Sequence, residues 1–198
     1  MTKPDVAQER KNQIVRATVD CISRYGYHNF SMQDVAKTAG VSKGIIHYYF
    51  LNKDDLMMSV LGKVVSDIGN VMHSDMSALD DPIKKLEIFI EVCFDIVRST
   101  REYYQVNMDF WTQINQKEEV RSVIAKHYVK FRKTCTQVLE EGVEKGVFQN
   151  VNPTEYSSFI IASIDGMSLQ WLFDDSAFDY DKIVKQVTSW IVSGILTK

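Results

Sequence analysis

At 198 residues the chain can hold one moderate domain or two small ones around a sizeable apolar core. A net charge of −3 argues against a generally basic nucleic-acid coat protein, while only nine glycines and three prolines, with apolar residues at helical intervals, favour an all-α protein. No apolar run approaches membrane-spanning length, the N-terminus lacks the apolar centre of a signal peptide, and the expectation is a soluble, cytoplasmic protein with no membrane partner.

Charge is distributed unevenly. Residues 1–55 hold eight Lys or Arg against six Asp or Glu, and the remainder holds fifteen against twenty. A slightly positive head on an acidic body suits phosphate contact by one end of the molecule. The cysteines, Cys21, Cys93 and Cys135, form no CxxC and no disulfide framework. Each sits among apolar residues, which fits a reduced, buried thiol. Cys135, with Arg132 and Lys133 close by, is the better candidate for a redox-sensing role.

A first helix is expected over 8–25, with Ile14, Val15, Thr18, Val19 and Ile22 as its apolar stripe and Gly26 as its stop. Tyr27 and Phe30 would then wedge it against the next two helices. Ser31 is a natural N-cap for a short helix carrying Met32, Val35, Ala36 and Ala39, and Gly40 can take the left-handed conformation that ends it. Ser42 can cap a second short helix with Ile45, Ile46, Tyr49 and Phe50 available to its buried side. Asn52 caps a third, whose first turn holds Asp54 and Asp55, where the helix dipole favours negative charge. Two short helices joined by a Gly-containing turn outline a helix-turn-helix.

The next helix is expected from 53 to about 76 and is the mechanical link between head and body. Asp80-Asp81-Pro82 restarts the chain for a helix to about 99 that buries Leu86, Phe89, Ile90, Cys93, Phe94 and Val97. A strongly aromatic helix is expected over about 102–116, and a long one from 117 to about 145 with Tyr128, Phe131 and Cys135 on one face. Gly146 is its C-cap region, Asn152-Pro153 opens a helix reaching about 173, and a last helix covers about 180–196. The whole is about nine helices, divided as 1–53 and 54–198.

The stretch FSMQDVAKTAGVSKGIIHYYFLNKDDL, positions 30–56, resembles the TetR family of bacterial transcriptional regulators, in its AGVSKG turn, its YYF ending and its NKDDL restart. DFWTQINQKEEVR at 109–121 and SIDGMSLQWLFD at 163–174 are similar to the betaine-regulator-type C-terminal class of that family. At position 45 the chain has Ile, where a small Thr or a similar residue is frequent in the family. The resemblance implies a homodimer of all-α subunits, each with a three-helix DNA-binding head and a helical ligand-binding and dimerisation body. It further implies a repressor acting on a palindromic double-stranded operator and released by a small-molecule inducer. No cofactor or metal is implied.

In such a motif the second helix enters the major groove, which places Ser42, Lys43, Gly44 and His47 at the DNA. Lys43 can donate to guanine O6 and N7, and Gly44 permits close backbone approach. Tyr48 and Lys53 suit phosphate contacts, as do Ser31 and Gln33 at the opening of the preceding helix. For the ligand, an apolar cavity with a few polar groups is expected from Phe89, Cys93, Asn107, Met108, Trp111, Tyr128 and Phe131. Asn107, Gln113, His127 and Asp165 are the polar groups expected to point inward. Dimerisation is expected on 153–196, through Phe159, Ile160, Ser163, Met167, Trp171, Val187, Trp190 and Ile191.

The rival readings are a helical small-molecule-binding or redox-sensing protein without a direct repressor role, and an all-α enzyme. Against the enzyme, there are no ExxH pairs, no HExxH and no phosphate-binding Gly loop. The four histidines are scattered and suggest no ligand set. An architectural DNA-bending protein would want a basic body, and this body is acidic.

Overall fold

A computed structural model describes residues 3–26, 29–99 and 118–197. Among them the chain forms eight helices: α1 (Lys3–Tyr25), α2 (Met32–Ala39), α3 (Lys43–Tyr49), α4 (Lys53–Ser77), α5 (Pro82–Ser99), α6 (Glu118–Glu144), α7 (Pro153–Phe173) and α8 (Tyr180–Ile195). The aromatic helix expected over 102–116 lies outside the described residues, as does Tyr27. No strand is formed among the described residues beyond one isolated bridge. The all-α class stands.

Most helix starts follow from a polar residue placed to accept free backbone N–H groups. Asn52 Oδ1 accepts from the N–H of Asp55 at 2.9 Å, and the Asp55 carboxylate accepts in return from the N–H of Leu51 at 2.9 Å. Asp81 caps α5 through the N–H of Ile83, Asn152 caps α7 through Thr154 and Glu155, and Asp179 caps α8 through Lys182. Pro82 and Pro153 each stand first in their helix, where a missing N–H costs nothing.

The described residues fall into two compact units, with the division inside α4 after Asp67 and inside α6 after Val123. The first unit is built on α1, α2, α3 and the start of α4. Its core is Ile14, Val15, Ala17, Cys21, Ile22, Phe30, Val35, Ala36, Ala39, Ile46, Phe50, Leu56, Met57 and Val60. α1 packs along α2, and Gln13 on α1 donates to the Ala39 carbonyl at 2.7 Å, taking up an acceptor left open at the end of α2. Arg10 holds the other end of that amide, donating to Gln13 Oε1 at 2.7 Å.

The second unit contains α5, α7, α8, the end of α4 and α6 from Ile124. α5 packs against both α7 and α8, burying Leu86, Phe89, Ile90 and Phe94 against Ile160, Ile164, Tyr180, Val187 and Ile191. Tyr180 is tied in by its hydroxyl, which donates to the Phe94 carbonyl at 2.9 Å, and by its ring, which meets Trp171 at 4.4 Å and Phe94 at 6.0 Å. Lys145 donates to Asp80 and Glu141 at 2.7 and 2.8 Å, and Lys85 to Glu141 at 2.6 Å, fastening the start of α5 to the end of α6.

After α6 the chain turns through Gly146, whose φ of 70° lies in the left-handed region that glycine adopts without strain. Phe148 then folds back and buries its ring over Gly142. The C-terminal residues close the unit: Phe148 pairs with Leu196 in the isolated bridge, and the Gln149 N–H donates to the Ile195 carbonyl at 2.7 Å.

Candidate nucleic-acid interface and ligand-binding body

Helix α2 is fixed at each end by local chemistry. Ser31 and Asp34 make a reciprocal capping box. The Ser31 hydroxyl oxygen accepts from the Asp34 N–H at 3.3 Å, and the Asp34 carboxylate accepts from the Ser31 N–H at 2.8 Å. The same carboxylate accepts from the Ser31 hydroxyl, and these bonds hold it below the usual carboxylate range. At the far end Gly40 turns left-handed at φ 65°, and the Val41 N–H reaches back to the Ala36 carbonyl at 3.0 Å. Ser42 then caps α3, its hydroxyl accepting from the Ile45 N–H.

α3 divides cleanly into an inward and an outward side. Ile46, fully buried, and Phe50 anchor it in the core, and Lys11 of α1 places its ammonium 5.5 Å from the Phe50 ring centre. Ser42, Lys43, Gly44, His47 and Tyr48 are exposed together, Tyr48 by 80% with its ring edge-on to half-buried Tyr49. Gly44 is not required by the chain's own packing: a Cβ built there would meet nothing closer than Ser42 Oγ at 3.7 Å. The missing side chain leaves room for something outside the protein.

Ile45 corrects the sequence reading, which puts it on the buried side; it is instead 40% exposed. A seven-residue helix anchored through Ile46 has only one inward stripe, and a neighbour in sequence is swung about 100° away from it.

Ser31 and Gln33 are exposed at the start of α2, with the Ser31 hydroxyl already engaged in the capping box. Lys53 is half-buried at the start of α4. Its ammonium donates to the Phe30 carbonyl at 2.9 Å and lies 3.9 Å from the Phe30 ring centre, and burial lowers its pKa. It therefore joins the start of α4 to the residue preceding the Ser31 cap.

In the body, Phe89, Cys93 and Phe131 line the interior, and Tyr128 packs against that core. Phe131 lies between Phe89, at 6.3 Å, and the His127 ring, at 4.3 Å. Tyr128 donates to the Asp165 carboxylate at 2.8 Å, a pairing 37 residues apart that no sequence spacing announces. Burial raises the pKa of both partners. The neighbouring carboxylate adds to the rise at Tyr128, and the hydrogen bond it accepts offsets part of the rise at Asp165. His127 Nδ1 is buried without a hydrogen-bond partner, and burial lowers the imidazole to about 4, so it is neutral at pH 7. Asn107, Met108, Trp111 and Gln113 lie outside the described residues.

The redox alternative meets a physical obstacle. Cys93 and Cys135 are buried thiols raised well above their ordinary pKa, Cys135 to about 12, whereas a sensing cysteine needs an accessible thiolate.

The residues expected at a dimer interface separate into two sets. Phe159 and Trp190 are 54% and 60% exposed, and Ser163, Met167 and Trp171 are half-buried. Ile160, Val187 and Ile191 are buried within the single chain. The sequence pattern marks both faces of α7 and α8 as apolar, and packing against α5 consumes one of them. Phe173, 75% exposed, belongs with the outward set although the sequence reading does not include it.

Comparison with known proteins places these features together. Residues 14–60 match a family model described as bacterial regulatory proteins, tetR family, and residues 82–195 match one described as BetI-type transcriptional repressor, C-terminal. The chain is 26% identical to the fatty acid metabolism regulator protein of Bacillus subtilis (strain 168), over 94% of this chain and 95% of that one. The crystal structure of the transcriptional regulator FadR from Bacillus subtilis in complex with stearoyl-CoA superposes with a TM-score of 0.74 at 26% identity, covering 92% and 98% of the two chains. A transcriptional regulator from Saccharomonospora viridis, solved in complex with choline, shares the fold at a TM-score of 0.84 and 23% identity, over 96% of this chain and 100% of that one.

Proposed function

Because this chain belongs to the TetR family of bacterial regulatory proteins, with a C-terminal domain of the BetI-type transcriptional repressor class, we propose that it acts as a homodimeric repressor released from its operator by a small organic ligand. It is a transcriptional regulator and not an enzyme. The observation that carries the reading is the outward side of α3: Lys43, Gly44, His47 and Tyr48 are presented together while Ile46 and Phe50 hold the helix in place.

On this reading residues 1–53 bind DNA and 54–198 bind ligand and partner. Lys43 donates to a guanine edge, Gly44 admits the backbone to the groove, and Ser42 and His47 flank them. Tyr48, Gln33, Ser31 and Lys53 face phosphates. Two heads held by a dimer reach successive major grooves of a palindromic site, about 34–36 Å apart. Phe159, Trp190 and Phe173, with the small residues Ala162, Ser163 and Gly166 between the phenylalanines of α7, supply the partner face. Exposed aromatic rings of this size cost less when covered.

The ligand sits against Phe89, Cys93, Tyr128 and Phe131, and its polar group meets the Asp165–Tyr128 pair. Its occupancy shifts the population of head spacings, with α4 as the connecting lever. The protein works in the cytoplasm, where its DNA is; no helix among the described residues is long and apolar enough to cross a membrane.

The test is a selection of genomic fragments on the purified protein, followed by fluorescence anisotropy on the recovered duplex with and without stearoyl-CoA or choline. Expected are a palindromic consensus, two protomers per duplex, and release by one of the two compounds at concentrations that leave a control duplex bound. In the same assay Lys43→Ala should relax discrimination at one base pair per half-site. Retention of all fragments alike would end the reading.

A further inference from the structure

The outward side of α3 carries one residue that neither phosphate binding nor hydrogen bonding explains. Ser42, Lys43, His47 and Tyr48 all offer polar atoms, and Gly44 offers space. Ile45 offers only methyl and methylene groups, and it is 40% exposed. The core does not require that exposed surface, because Ile46 already anchors the helix. Helix propensity does not favour it either, since a β-branched residue is worse than Ala, Lys or Gln at an exposed helical position.

The chemistry of the major groove supplies a use for it. Of the four bases, only thymine presents an apolar group there, the C5-methyl; the other edges present donors and acceptors that an aliphatic side chain would desolvate without return. Branching at Cβ leaves Ile one strongly preferred χ1 rotamer in a helix, so its methyl groups are already positioned and little freedom is lost on contact. Gly44, immediately before it, has no Cβ and an open surrounding, which lets this turn of the helix approach close enough for a short side chain to reach a base edge.

We propose that Ile45 is a specificity-determining residue that reads a thymine by packing on its C5-methyl group, selecting T over C, A or G at one position of each half-site. This rests on the reading of α3 as the DNA-reading helix and adds a contact to it.

The test uses the full chain and the duplex recovered by the genomic selection. Each thymine in one half-site is replaced in turn by deoxyuridine, which lacks only the methyl group. Wild-type protein should lose about fourfold in affinity at one thymine, the equivalent of ~0.8 kcal/mol for one buried methyl-sized group. Ile45→Ala should bind the unmodified duplex more weakly by a similar factor and show no further loss at that thymine, with losses elsewhere unchanged. Ile45→Val, which keeps the branch, should retain the uracil penalty. A uracil penalty that persists undiminished in Ile45→Ala, or is absent from every position in the wild type, overturns the contact while the DNA reading stands. Failure of the wild type to select any duplex overturns both. Ile45→Ala should still unfold in one cooperative transition well above the assay temperature, because Ile46 and Phe50 keep α3 anchored, which separates the loss of binding from loss of fold.

Discussion

The same substitution, Gly→Ala, should have opposite consequences at two helical glycines, and the structure supplies the reason. At Gly44 a Cβ would meet only Ser42 Oγ, at 3.7 Å, an ordinary contact. Replacing a helical glycine by alanine stabilises by roughly 0.5–1 kcal/mol, because the unfolded chain has less freedom to lose. For a chain of this size that is a rise in Tm of about 1–4 °C. At Gly142 a Cβ would fall 2.0 Å from Phe148 Cδ2 and 2.3 Å from Cε2. Those ring atoms cannot stay, and Phe148 is among the largest fully buried side chains.

Displacing the Phe148 ring forfeits part of the ~3–5 kcal/mol that a buried phenylalanine contributes, and local overpacking alone costs about 1–3 kcal/mol. The helix-propensity gain of ~1 kcal/mol does not offset this, so Gly142→Ala should lower Tm by several degrees. Gly142→Ala with Phe148→Ala should be less than additive, since the small side chain removes the clash. Circular dichroism melts of the wild type, Gly142→Ala, Phe148→Ala and the double variant measure the coupling, and anisotropy on the operator measures function. Gly44→Ala should lose at least about tenfold in DNA affinity while melting no lower than wild type. Wild-type DNA affinity in Gly44→Ala would refute the close backbone approach at α3, and additivity at Gly142 and Phe148 would refute the seating of that ring.

The body yields three further predictions. His127 has its folded pKa lowered to about 4 by burial, against an ordinary 6.5, so its contribution is fully present above pH 6.5 and is lost as pH falls towards 4. That loss is on the order of 3 kcal/mol, and His127→Phe should flatten the acid limb of a stability-against-pH curve over that window; an unchanged limb would count against burial of a neutral ring. Asp165 is the opposite case. Its raised pKa means the folded state favours the protonated acid, so stability is lost as pH rises through its folded pKa. Asp165→Asn, still able to accept from Tyr128, should therefore melt above wild type at pH 8 and lose that advantage in acid; a lower Tm at pH 8 would contradict it. Finally, Phe159→Glu combined with Trp190→Glu should halve the mass measured by light scattering without unfolding the subunit, whereas a persistent dimer would place the interface elsewhere.

What the sequence determined by itself was local. Ser31, Gly40, Ser42 and Asn52 act on their nearest backbone groups, so the caps and turn of the α2–α3 motif could be read from the order of residues. The proline starts of α5 and α7 were legible for the same reason. Which apolar face of a helix becomes core is a different kind of question, because period-3.6 patterning marks candidates and only the neighbouring helices choose among them. That is why Ile45 turned outward beside buried Ile46, and why Ile160, Val187 and Ile191 went to α5 while Phe159 and Trp190 stayed at the surface. The Tyr128–Asp165 bond belongs to this second class. It joins residues that only tertiary packing brings within reach, through forces that act over a few ångströms of space and are blind to distance along the chain, whereas the Phe148 ring reaches Gly142 through the local turn at Gly146.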